Sequence, residues 1–207
     1  MTGRFQPGDH LQVWRPPHYY HHGIYISDDR VIQFGGGIFD KPNASIEAVT
    51  LKRFENGRTA KFVRHGFESW FTGHHPAADE PWKIIERAEF MLKLQPRLRY
   101  NLIGHNCEHV ANLCVSKYWG ESYQTRRVFR ARVAMDVAFM AWLSHRNRVG
   151  LPVPRWVRLV AYAVIAVSLG SIFTYNDQIR RFWREIEKDW RAHERMLERD
   201  PRNGIVE

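Results

Sequence analysis

A chain of 207 residues with 31 Lys+Arg against 22 Asp+Glu, a formal charge of +9 and 44% apolar residues is neither an intrinsically disordered chain nor a collagen-like repeat. Its two cysteines, Cys107 and Cys114, exclude a disulfide-stapled miniprotein and demand no oxidising compartment. The length suits one compact domain of about 100–150 residues plus an extension.

Residues 1–9 are polar and lack the apolar core of a secretory signal. HLQVWR (10–15) alternates apolar and polar residues, GIYISD (23–28) is β-rich and ends on the turn pair Asp28–Asp29, and RVIQF (30–34) returns at once. Alternation broken by turn residues predicts an antiparallel meander. Gly35–Gly36–Gly37 then interrupts it. AVTLKRF (48–54), the turn-like Glu55–Asn56–Gly57 and KFVRH (61–65) predict a second hairpin, and residues 66–81 predict a loop. From Trp82, the three-to-four-residue spacing of Ile84, Ile85, Ala88, Met91 and Leu92 predicts a helix that Pro96 ends. Another helix should start at Cys107, capped by Asn106, with Val110, Ala111, Cys114 and Val115 on one stripe. Strands first and helices later predict an α+β domain, an antiparallel meander with packed helices, over residues 5–126.

A helical C-terminal region follows. Residues 120–158 hold eight arginines and only Glu121 and Asp136 as acids, which is +6 of the +9, and 127–158 reads as a basic helical region. Residues 159–175 carry no formal charge, and as a helix they would span about 26 Å, short of a roughly 30 Å hydrocarbon core but within the accepted range. Residues 177–200 place Ile179, Trp183, Ile186, Trp190, His193 and Leu197 on the stripe of an amphipathic helix.

Three features carry chemistry. They are the pair His21–His22 at the entry of a strand, Gln33 on the neighbouring strand, and Cys107 at a helix start within His105–Asn106–Cys107–Glu108–His109. A helix N-terminus favours thiolate over thiol, and a thiolate nucleophile needs a base and a polar group to orient that base. One Cys, one His and one polar side chain from separate elements fit that logic. Cys114 sits mid-helix on the apolar stripe and reads as core. The histidine spacings match no standard zinc site, and no dinucleotide, Walker or nucleic-acid motif occurs, so neither metal, cofactor nor nucleic acid is expected.

GDHLQVWR (8–15), HHGIYISDDRVIQF (21–34) and YNLIGHNCEHVANL (100–113), in that order, resemble the lecithin:retinol acyltransferase-like family of the NlpC-type papain-like superfamily, a circularly permuted papain-like fold. The resemblance makes Cys107 the nucleophile and His21, two residues before Gly23, the general base. Gln33 falls where the family commonly has a second histidine; an amide can still accept the imidazole N–H and orient the ring, but it cannot titrate. Tyr19, Asn106 and His22 are weaker oxyanion or supporting candidates. The implied chemistry is acyl transfer or hydrolysis of lipid esters through a Cys thioester. A cysteine peptidase or amidase is one alternative. A non-catalytic membrane adaptor with this fold is the other.

The basic block beside an apolar segment implies an anionic membrane surface as partner through 120–158, with the catalytic domain on the cytoplasmic side. Residues 159–175 are expected to anchor the chain in the membrane, with burial in a small helical subdomain as the competing reading. Residues 177–200 are expected to support self-association or lie on the membrane.

Overall fold

A computed structural model of the protein describes residues 3–16, 19–35, 44–69, 73–94, 100, 105–116, 123–151 and 153–199. Gly36, Gly37 and Pro96, read above as breaks, lie outside the described residues. Strands β1 (His10–Arg15), β2 (Tyr19–Ser27), β3 (Arg30–Phe34) and β4 (Ile46–Val49) pair antiparallel in chain order, and the short β5 (Lys61–Phe62) returns to the far side of β1, giving the order β4-β3-β2-β1-β5. The meander is thus present.

The second hairpin is not. Thr50 accepts a hydrogen bond from the backbone N–H of Arg53 at 3.2 Å, which caps a short helix, α1 (Leu51–Glu55), and Asn56 ends it in the left-handed region at φ 47°. Local capping prevails over the β-like text AVTLKRF, so β5 pairs with β1 instead of β4. The expected loop over 66–81 contains a two-stranded ribbon, β6 (Phe67–Ser69) with β7 (Gly73–His75), whose strands are too short to show a period.

Side chains alternate across the sheet, so its faces meet different partners. On one face Ile24, Ile32, Phe34 and Ile46 pack under α2 (Pro81–Lys93) and α3 (Cys107–Ser116), with Ile84, Ala88, Met91, Val110 and Cys114. On the other, Leu11, Val13, Tyr25, Val31 and Val49 enclose Phe54 of α1. Buried Arg87 ties α2 to its surroundings: it donates to the Cys114 carbonyl at 2.7 Å and pairs with Asp79.

Beyond α3 come α4 (Tyr123–Arg148) and a single 45-residue helix, α5 (Arg155–Arg199). The apolar segment 159–175 and the amphipathic segment 177–200, expected as separate helices, are therefore parts of one. Among the described residues, no helix is long and apolar enough to cross a membrane. Trp156, Leu159, Val160, Tyr162, Val164 and Val167 along its first half are exposed, whereas Trp183, Ile186 and Trp190 in its second half are buried against α2 and α3. Of the stripe over 177–200, Ile179, His193 and Leu197 are half-buried.

Candidate active site

Cys107 is the first residue of α3. Asn106, fully buried, caps that helix: its Oδ1 accepts from the backbone N–H of His109 at 3.0 Å and from His109 Nδ1 at 2.9 Å. The intrahelical ladder begins with Val110 N–H to the Asn106 carbonyl at 3.2 Å. Cys107 therefore stands at the positive end of the α3 dipole, which favours the thiolate. The thiol is 1% exposed, and Sγ donates to the Tyr20 carbonyl at 4.0 Å, one residue before His21. Tyr19 and Tyr100 surround it. Burial first, and then the neighbouring Cys107 charge, push both phenols above their ordinary range. Arg15, opposite Tyr19 in the β1–β2 register, feels the same charge, although burial is the main influence on its guanidinium.

His21 and Gln33 are brought together: His21 Nε2 lies 2.7 Å from Gln33 Oε1. On its other side Gln33 donates from Nε2 to Glu47 Oε1 at 2.9 Å. The His21 ring packs 5.5 Å from that of Phe54. Gly23 makes room for this arrangement, because a Cβ there would meet Phe54 at 2.9 Å and Val31 at 3.0 Å. Alternation places Tyr19, His21 and Arg15 on the Phe54 side of the sheet, whereas Cys107 and Tyr100, whose ring lies 5.0 Å from that of Phe34, belong to the core on the α2–α3 side.

His22 points to the opposite side, into an arrangement the sequence reading missed. Its Nδ1 lies 2.9 Å from His10 Nε2, and His10 Nδ1 lies 2.9 Å from Nε2 of half-buried His65. Three rings joined by two hydrogen bonds have two internal proton orders, with the outer proton at either end. The sole sequence signal was that His10 and His22 stand near one another once β1 and β2 are paired. Arg15, Tyr100 and Glu47 were missed as well. Among the described residues no group of three His, Cys, Asp or Glu residues could hold a metal ion.

The flanks of Cys107 are closed by α5. The His105 ring lies 4.1 Å from Phe182 and 5.5 Å from Trp183, and His109 stacks on Trp183 at 6.2 Å. Burial, with a smaller push from His105, lowers the His109 pKa from 6.5 to about 3, so this ring is neutral and donates from Nδ1 to its cap residue. The unfolded chain takes up a proton near pH 6.5 and the folded one only near 3. The stability this represents is therefore complete above pH 6.5 and is lost as pH falls toward 3, at up to about 1.4 kcal/mol per pH unit. Urea unfolding at a series of pH values below 7 is expected to show a shallower slope for His109→Gln than for the wild type; equal slopes would refute the assignment. Cys114 is held up to about 12 by burial and is core, as its place on the stripe implies.

A stretch of 30 residues is 60% identical to Protein LEAD-SENSITIVE 1 of Arabidopsis thaliana, covering 14% of this chain and 12% of that protein. The lecithin retinol acyltransferase family model matches residues 3–118, more than half the chain, taking in the five-stranded sheet and α1 to α3. The chain belongs to the lecithin retinol acyltransferase family, whose members are typically acyltransferases.

Proposed function

We propose that the protein is a thiol-dependent acyltransferase or acyl hydrolase that acts on lipid esters, glycerophospholipids first among them, with Cys107 as nucleophile and His21 as base. The observation that carries this reading is the placement of Cys107 at the start of α3, with Sγ against the β2 backbone beside His21, whose Nε2 is bonded to Gln33. A ring that donates from Nε2 keeps its lone pair on Nδ1, the form a base needs. Sγ gives its proton to His21 Nδ1 and bonds to the ester carbonyl carbon. The C–O bond then breaks, and the leaving alkoxide takes the proton back. Water or an acceptor alcohol or amine next attacks the thioester, loses its proton to His21, and releases the acyl product as the proton returns to Sγ. First-turn N–H groups of α3 are the natural oxyanion donors.

The exposed residues Trp156, Leu159, Val160 and Val164, together with Arg155, Arg158, Arg146 and Arg148, suit the surface of an anionic membrane, and such surfaces face the cytoplasm. The test uses vesicles of an acyl-labelled glycerophospholipid with and without an anionic lipid. An acyl-sized mass increment on the Cys107 peptide, larger with anionic vesicles, is expected. No adduct with any lipid ester sinks the enzymatic part, and equal binding to neutral vesicles sinks the membrane part.

A further inference from the structure

We infer that Glu47 is a positioning residue that sets the proton on the imidazole of His21 through the amide of Gln33. A carboxylate can only accept, so the 2.9 Å contact of Glu47 Oε1 must be with the amide nitrogen of Gln33. That settles which way the amide faces and aims Oε1 at His21 Nε2, 2.7 Å away. An amide oxygen also only accepts, so the proton of the neutral ring sits on Nε2. Without Glu47 the amide could turn over and present NH2 to the same nitrogen, moving the proton to Nδ1 and disabling the base.

Two further observations show a built arrangement. Gln33 and Glu47 are direct partners in the β3–β4 register, so the sheet itself holds the pair. A Cβ on Gly35 would lie 2.1 Å from Glu47 Oε1 and 2.8 Å from Gln33 Nε2, so any side chain at residue 35 would push the carboxylate and the amide out of this arrangement. The outer oxygen, Oε2, lies 3.6 Å from the exposed guanidinium of Arg53 on α1. The order is Arg53, Glu47, Gln33, His21, running from solvent inward. A carboxylate behind an amide thus does by hydrogen-bond direction what a second titrating ring would do by charge.

The inference rests on His21 serving as the base, and its test is readable without activity. In a Cys107→Ser background, where no thiolate holds the ring charged, 15N-edited NMR above the imidazole pKa reports the His21 tautomer directly. Nε2–H is expected, and Glu47→Lys, which places a donor against Gln33, is expected to switch it to Nδ1–H. Gly35→Ala displaces the carboxylate without changing charge and is expected to cause the same switch should the lysine variant fold poorly. With Cys107 restored, Glu47→Lys is expected to lower kcat about a hundredfold with little change in KM, and Glu47→Gln, which retains an acceptor, to recover most of that loss. Nδ1–H in the parent protein, or a tautomer indifferent to both variants, overturns the inference. A tautomer that switches in a protein with no acyl-transfer activity upholds it and refutes the proposed function instead.

Discussion

Replacing Cys107 by serine is expected to lower turnover of a labelled lipid ester by at least about a thousandfold and to abolish the covalent acyl-enzyme adduct. The substitution exchanges one atom at a site that is 1% exposed, so packing changes little. The chemistry changes greatly. The N-terminal end of α3 can lower a thiol into the range where a neighbouring imidazole deprotonates it, but it cannot do so for an alcohol. Cys114→Ala is the matched control: it removes the other thiol, one held protonated by burial seven residues along the same helix, and is expected to leave the rate standing. Steady-state rates with intact-protein mass spectrometry separate the two. Equal losses in both variants would mean that α3 matters for its packing and not for a nucleophile.

Replacing Trp183 by alanine is expected to destabilise the fold by about 3–5 kcal/mol, the cost of deleting a large buried aromatic side chain. Trp183 is 2% exposed, belongs to the core beneath α2 and α3, and closes over both His105 and His109. Trp156 on the same helix is 67% exposed, and its replacement should move stability by no more than about 0.5 kcal/mol. Denaturant unfolding of the two variants measures the contrast. Similar small effects would show that the second half of α5 does not hold the domain together. Because Trp183 covers the flanks of Cys107, the proposed nucleophile, its loss should slow catalysis even where the protein remains folded.

The strands β1 to β3 were legible because a sheet buried by helices and α1 imposes a period of two on short segments, and the start of α3 because Asn106 is a strong cap. His21 and Gln33 were legible as a pair because a tight turn fixes the register between their strands. Glu47 was not, since its place opposite Gln33 depends on how β4 returns across 36–43, and sequence spacing does not encode that. The His10–His22–His65 chain needed three elements aligned at once. The segment 48–54 misled because its alternation suits a strand, while one hydroxyl at Thr50 redirects the backbone into a helix. The join between 159–175 and 177–200 was hidden by a change in side-chain character. The backbone runs helical through it regardless.

That continuity has a mechanical consequence. At 1.5 Å per residue, Trp156 and Trp183 lie about 40 Å apart along one rod, with no loop between them to absorb displacement. A loop would let each end settle independently; a rod transmits. In the proposed membrane-bound state, a surface that received the exposed end of α5 would also set the height and tilt of the other end, seated over His105 and His109 beside Cys107. In that state the helix would work as a gauge, fixing the reach of the thiol relative to the membrane surface.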